Sequence, residues 1–185
     1  SVRGGARSVE ARGGGVWVRR RVQRLLASAG GWGSQTDAAK GGFASFLNIL
    51  RLYLTHFRGQ ASAVEQFRAP TTGTDGESWE ALTAALGLKE LRVGQRFTAP
   101  AGVPAFSGVV EYVTLEPFDA LLRLDKPAPG VAALGIAGFP GGPTTVALNL
   151  YLYGDQAAAT VARETPGWQA WFQERFPMPA EVSKS

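Results

Sequence analysis

The chain contains one histidine and no cysteine, which removes much of the chemistry a protein can do. Without thiolates there is no disulfide framework and no sulfur-ligated zinc or iron–sulfur site, and one imidazole cannot build a ligand set that needs two. No metal and no cofactor is expected. His56 could serve as a general base only if a carboxylate oriented it, yet no acidic residue lies within four positions. Its place near the end of a helical segment suits a surface imidazole favoured by the helix dipole. Asp119 and Asp125 flank the run 120–124. Six residues apart along a strand they stand roughly 20 Å from one another, too far for a shared acid–base pair, and they read as turn residues. Arg123 alternates with Leu122 and Leu124 and so points to the opposite face. Gly135, Gly138, Gly141 and Gly142 form a glycine-rich stretch, but phosphate-binding loops open directly into a helix, and here Pro143 leads into a strand. It reads as a hairpin loop. No residue is assigned a catalytic role.

Charge narrows the partners. Residues 1 to 24 carry seven arginines against Glu10 alone, a net +6, which leaves −2 for the rest of a chain whose total is +4. Clustered arginine can neutralise phosphates, but Val16, Trp17, Val18 and Val22 alternate with the arginines as on a strand, and Trp17 is the lone aromatic among them. A solvated hairpin face is the reading, and no nucleic acid partner is expected. The longest apolar run, 131–139, is interrupted by Gly135 and Gly138 and is far shorter than the ~18 residues a membrane span needs. A soluble, cytoplasmic protein is expected, with 45% apolar and 18% charged residues providing for a packed core.

These residues must be held by elements that the periodicity outlines. Val9–Arg12 and Val16–Val22 around the three glycines 13–15 predict a hairpin. Ser34, Thr36 or Asp37 caps a helix running to about Phe57, in which Phe43, Phe46, Leu47, Leu50, Tyr53, Leu54 and Phe57 share one face that must be buried, with Gly59 as C-cap. A strand at 63–68, a turn-rich linker at 70–76, and a helix at 77–86 with Trp79, Leu82 and Leu86 on one side, closed by Gly87, come next. Strands at 93–99, 106–114, 118–125, 131–139 and 144–153 are spaced as an antiparallel meander. Asp155 then caps a last helix, kinked at Pro166 and presenting Trp168, Trp171, Phe172 and Phe176. Gly42 through Leu47 parallels Gly167 through Phe172, which suggests a tandem duplication whose first copy lacks its front, through truncation or because a partner supplies it.

The stretch from Gly41, Gly42 and Phe43 through Phe46–Leu54 to His56, Phe57, Arg58 and Gly59 resembles the closing helix of the START and birch-pollen-allergen-like superfamily, SRPBCC. The bacterial branch named after the activator of a heat-shock chaperone ATPase is the most similar. The run from Trp79 through Leu121–Gly130 and Leu150–Asp155 to Trp168–Trp171 and Arg175–Pro177 is similar to the C-terminal part of actinobacterial members. The resemblance implies an α+β helix-grip fold, an antiparallel sheet curled around a long C-terminal helix with a hydrophobic cavity between. The family's opening strand and small helices are missing from the first unit.

The expected division is a partial unit at 1–59, a linker and first strand at 60–76, a second unit at 77–180 and a disordered tail at 181–185. The expected function is a non-enzymatic binding module whose cavity holds a small hydrophobic molecule. A chaperone co-factor or protein-interaction module with a filled cavity is the alternative, and a cyclase- or hydratase-like enzyme a second. The cavity is expected to be lined by Leu122, Leu124, Leu148, Leu150, Trp168, Trp171 and Phe172, and in the first unit by Phe46, Leu50 and Tyr53. Apolarity favours Val146, Leu148, Leu150 and Leu152 as the inward set of the last strand. Asn149, Tyr151 and Tyr153, on its other face, are the best polar groups for orienting a ligand.

Overall fold

The computed structural model describes residues 3–12, 16–25, 45–115, 118–137 and 143–177, with side chains from residue 45 onward. The chain divides into two compact units, Ser1–Lys40 and Gly41–Ser185. The first holds a hairpin of β1 (Arg3–Arg12) and β2 (Val16–Leu25), antiparallel, with Arg12 opposite Val16 and Arg3 opposite Leu25. Both strands are longer than expected, and the glycine turn lies outside the described residues.

The second unit is built on six antiparallel strands: β3 (Ser62–Thr71), β4 (Arg96–Thr98), β5 (Ser107–Leu115), β6 (Phe118–Lys126), β7 (Gly130–Ala137) and β8 (Thr144–Tyr153). Their order across the sheet is β3-β8-β7-β6-β5-β4. The last five form the meander, and its final strand β8 comes to lie beside the earlier β3, Phe67 opposite Leu148. Because successive side chains alternate, Val146, Leu148, Leu150 and Leu152 share one face with Leu122, Leu124, Ala132 and Leu134, all buried in one cluster.

Two helices cover that face. Helix α2 (Asp75–Ala85) starts on a capping box: Thr74 Oγ1 accepts from the Glu77 amide and the Glu77 carboxylate accepts from the Thr74 amide, at 3.3 and 2.8 Å. It ends where Gly87 adopts a φ of +75°, a conformation open to glycine at little cost. It lays Trp79, Leu82 and Leu86 on the core. Helix α3 (Ala157–Arg175) contributes Ala157, Trp168, Trp171 and Phe172 to the same cluster. Its N-cap is Gln156 with no side-chain cap bond, not the expected Asp155, and Pro166 lies inside it. This is a helix-grip architecture of the α+β class.

The opposite face is covered too. The segment 45–52 is α-helical and passes into a single π-helical stretch, Tyr53–Phe57; the two together are α1. Leu52 and Phe57 are buried against Leu121, Val131, Ala133 and Tyr153 of β6, β7 and β8, with Ile49 and Tyr53 packed beside them. This corrects the expected buried face. Phe46, Leu47 and Leu54 are exposed, Phe46 by 54% and Leu54 by 52%, and Phe43 and the expected cap lie outside the described residues. Apolar residues occur all round α1, and the π-turn advances the register by one residue, so a 3.6-residue template picks the wrong stripe. The sequence reading grouped α1 with the hairpin, whereas its packing partners are strands of the six-stranded sheet.

Candidate functional site

The space between the inner sheet face and α3 gathers seven of the ten expected lining residues: Leu122, Leu124, Leu148, Leu150, Trp168, Trp171 and Phe172. The other three are elsewhere. Tyr53 packs on the outer face with its ring 5.4 Å from that of Tyr153, Leu50 is half-buried on α1, and Phe46 is exposed. Beneath α3 the rings are in close contact. Phe106 meets Trp168 edge-on at 5.3 Å, Trp168 meets Trp171 edge-on at 5.6 Å, and Phe67 lies 5.8 Å from Phe172 in a stacked arrangement. Trp168 is 0% exposed and Trp171 3%. Their Nε1–H groups are buried and have no hydrogen-bond partner among the described residues.

Beside this core, a half-open groove of about 700 Å³ runs between α2 and the β5–β6 end of the sheet. Among the described residues, Trp79, Leu88, Leu91, Val113 and Phe118 give it apolar walls, Thr83 and Thr114 also line it, and Glu80 and Lys89 are its charged lining residues. Trp79 and Leu88 are also members of the buried cluster that contains Trp168 and Leu148, so the groove's floor is the edge of the core. The Trp79 ring stands 5.9 Å from Phe118. Sequence reasoning placed Trp79 on the buried side of its helix but missed the groove. Leu88 and Leu91 follow the helix-ending Gly87 outside any periodic element, and only the β5–β6 pairing brings Val113 and Phe118 to them.

The polar groups expected to orient a ligand face the other way. Tyr151 and Tyr153 belong to the outer cluster under α1, where Tyr153 stacks on Phe57 at 4.5 Å. Burial, then the neighbouring Tyr151 and Tyr53, push the Tyr153 hydroxyl up to about 12. Asn149 shares their face by alternation, so none of the three looks toward α3. Arg123 does not enter the core either, because the leucines beside it face inward; its Nε donates to Glu111 at 2.7 Å. Asp119 and Asp125 are not turn residues but lie within β6. Asp125 pairs with Arg96, and Asp119 accepts the Ser45 hydroxyl of α1. His56 is exposed. Among the described residues no group of three or more histidine, cysteine or acidic side chains could hold a metal ion, and no helix is long and apolar enough to cross a membrane.

Burial raises the Asp119 carboxyl above its ordinary 3.8, outweighing the Ser45 hydroxyl that lowers it. The folded chain therefore binds more protons here than the unfolded one once the pH passes 3.8, and this group's contribution to stability falls as pH rises through that window. Asp119→Asn, neutral throughout, should gain on the wild type between about pH 3 and pH 7 in paired denaturation curves. A difference that is flat across that range would show that Asp119 ionises as easily in the folded chain as in the unfolded one.

No family model matches the sequence, and no curated protein matches it. Among solved structures the chain is similar in fold to protein MLL2253 from Mesorhizobium loti, with 15% identity and a TM-score of 0.47 over 61% of this chain and 93% of that one. It is also similar to an uncharacterised protein from Rhizobium leguminosarum, at 12% identity and a TM-score of 0.40 over 63% and 93% of the two chains. CalU16 from Micromonospora echinospora matches at 14% identity and a TM-score of 0.40, over 69% and 91%.

Proposed function

We propose that the chain is a non-enzymatic binding module of the SRPBCC type that holds a small hydrophobic molecule on the inner side of its helix grip. The groove carries this reading. It has the volume of a small-molecule site, its described walls are mainly apolar with two charged groups, and its residues Trp79 and Leu88 belong to the same buried cluster as Trp168 and Leu148. A hydrophobic molecule entering it leaves water for a surface continuous with the core, which is the favourable direction of transfer. The helix-grip architecture and the SRPBCC-like residues of 79–177 support the same reading. Nile red, a neutral probe, should brighten on binding to the wild type in a saturable, one-to-one manner. Val113→Trp, which fills the groove from β5, should weaken that binding at least about tenfold while the thermal midpoint stays near that of the wild type. Nile red that stays dark with the wild type, or binds both proteins equally, overturns the reading.

A protein-interaction module is the second reading. The close packing of rings beneath α3 and the exposed Phe46, Leu47 and Leu54 on α1 favour it.

A further inference from the structure

Trp79 belongs to the floor of the groove and is 4% exposed. Its Nε1–H has no acceptor among the described residues, yet it is not sealed in as the indole nitrogens of Trp168 and Trp171 are. The groove is the opening that Trp79 lines, so this donor is reached from there. A second donor stands on the rim. The Leu88 amide donates to the Thr83 carbonyl at 2.7 Å and the Gly87 amide to that of Ala84 at 3.0 Å, which closes the end of α2 and fixes Lys89 beside Leu88, itself 2% exposed. Lys89 is exposed and has no ion-pair partner among the described residues. The neighbouring Glu90 is taken up by Arg92 at 3.2 Å, and Glu80, the other charged wall residue, makes no ion pair with Lys89.

Apolar walls lower the local dielectric, so an unpaired ammonium there acts more strongly on a charge in the groove than it would in open water. One ammonium and one neutral N–H suit the two oxygens of a single negative charge, and charge-assisted hydrogen bonds are the stronger kind. A doubly charged phosphate would meet about twice the repulsion from Glu80.

We propose that the hydrophobic molecule held in the groove is a carboxylate, its head received by Lys89 and the Trp79 Nε1–H and its body by Leu88, Leu91, Val113 and Phe118. The proposal rests on the binding function argued above and names the class of ligand. The test titrates phenylbutanoate and phenylbutanamide, the same body with an uncharged head, into the full chain with nitrogen-15-labelled tryptophan at neutral pH. The acid should bind at least about tenfold more tightly than the amide and should shift the Trp79 Nε1–H resonance downfield. Lys89→Met should bring the acid to the level of the amide, and Glu80→Gln, which removes an opposing charge, should widen the gap. Both substitutions fall on exposed side chains, where folding is little affected. Equal affinity for the two compounds, or binding of neither while Nile red binds, overturns the proposal and leaves the binding function in place. A preference that Lys89→Met retains overturns it as well, because the head then sits elsewhere, and an unmoved Trp79 resonance removes the indole from the role. Nile red that stays dark overturns the binding function and the proposal together.

Discussion

Trp171→Ala should lower the free energy of unfolding by about 3–5 kcal/mol, the range for a large core aromatic cut to a methyl. The ring is 3% exposed and touches three others, Trp168 at 5.6 Å, Phe172 at 5.3 Å and Phe176 at 6.1 Å, all edge-on. Truncation therefore removes the buried area of Trp171 and one packing partner from each neighbour, and α3 cannot collapse into the gap without lifting Phe172 from Phe67. In a urea titration the midpoint should drop with little change in slope, and Trp171→Phe should cost much less. A loss below about 1 kcal/mol would mean that the rings stand around a void rather than against each other.

Gly108→Ala adds one methyl group and should cost about 3 kcal/mol, the upper range for overpacking. A Cβ at this position would stand 2.0 Å from the Arg123 carbonyl oxygen and 2.9 Å from its carbonyl carbon. The obstacle is backbone, so no rotamer change relieves it. Strand β6 cannot give way, because Leu122 and Leu124 on either side of Arg123 are buried and Arg123 itself is paired across to Val131 of β7. The β5–β6 register shifts between Ser107 and Gly108, a local irregularity that lets the two chains come this close. Calorimetry should show a lowered midpoint with a single transition. An unchanged midpoint would show that β5 is free to slide along its neighbour.

The meander was legible because proline and glycine clusters separate runs of β-branched and apolar residues. The inward set of β8 followed from apolarity alone: Val146, Leu148, Leu150 and Leu152 are all buried against the helices. The grip residues Trp168, Trp171 and Phe172 were legible from their spacing of three and four on α3. Three kinds of information were out of reach. The buried side of α1 was hidden by apolar residues on every side and by the π-turn at Tyr53–Phe57. Asp119 and Asp125 looked like turn residues because acidic side chains are uncommon within strands, yet their partners, Ser45 and Arg96, lie 74 and 29 positions away. The groove depends on Leu88 and Leu91 meeting Val113 and Phe118, a long-range pairing with no local signal.

Having helices on both faces of one sheet sets the order in which the molecule can come apart. Strand β7 has a strand on either side, and its residues 131–134 are buried on both faces, alternately against α1 and against the α2–α3 layer. Strands β3 and β4 each have a single strand neighbour. Solvent must therefore work inward from the two margins, and the amide protons of β7 are the last to be surrendered, released only when the whole unit opens.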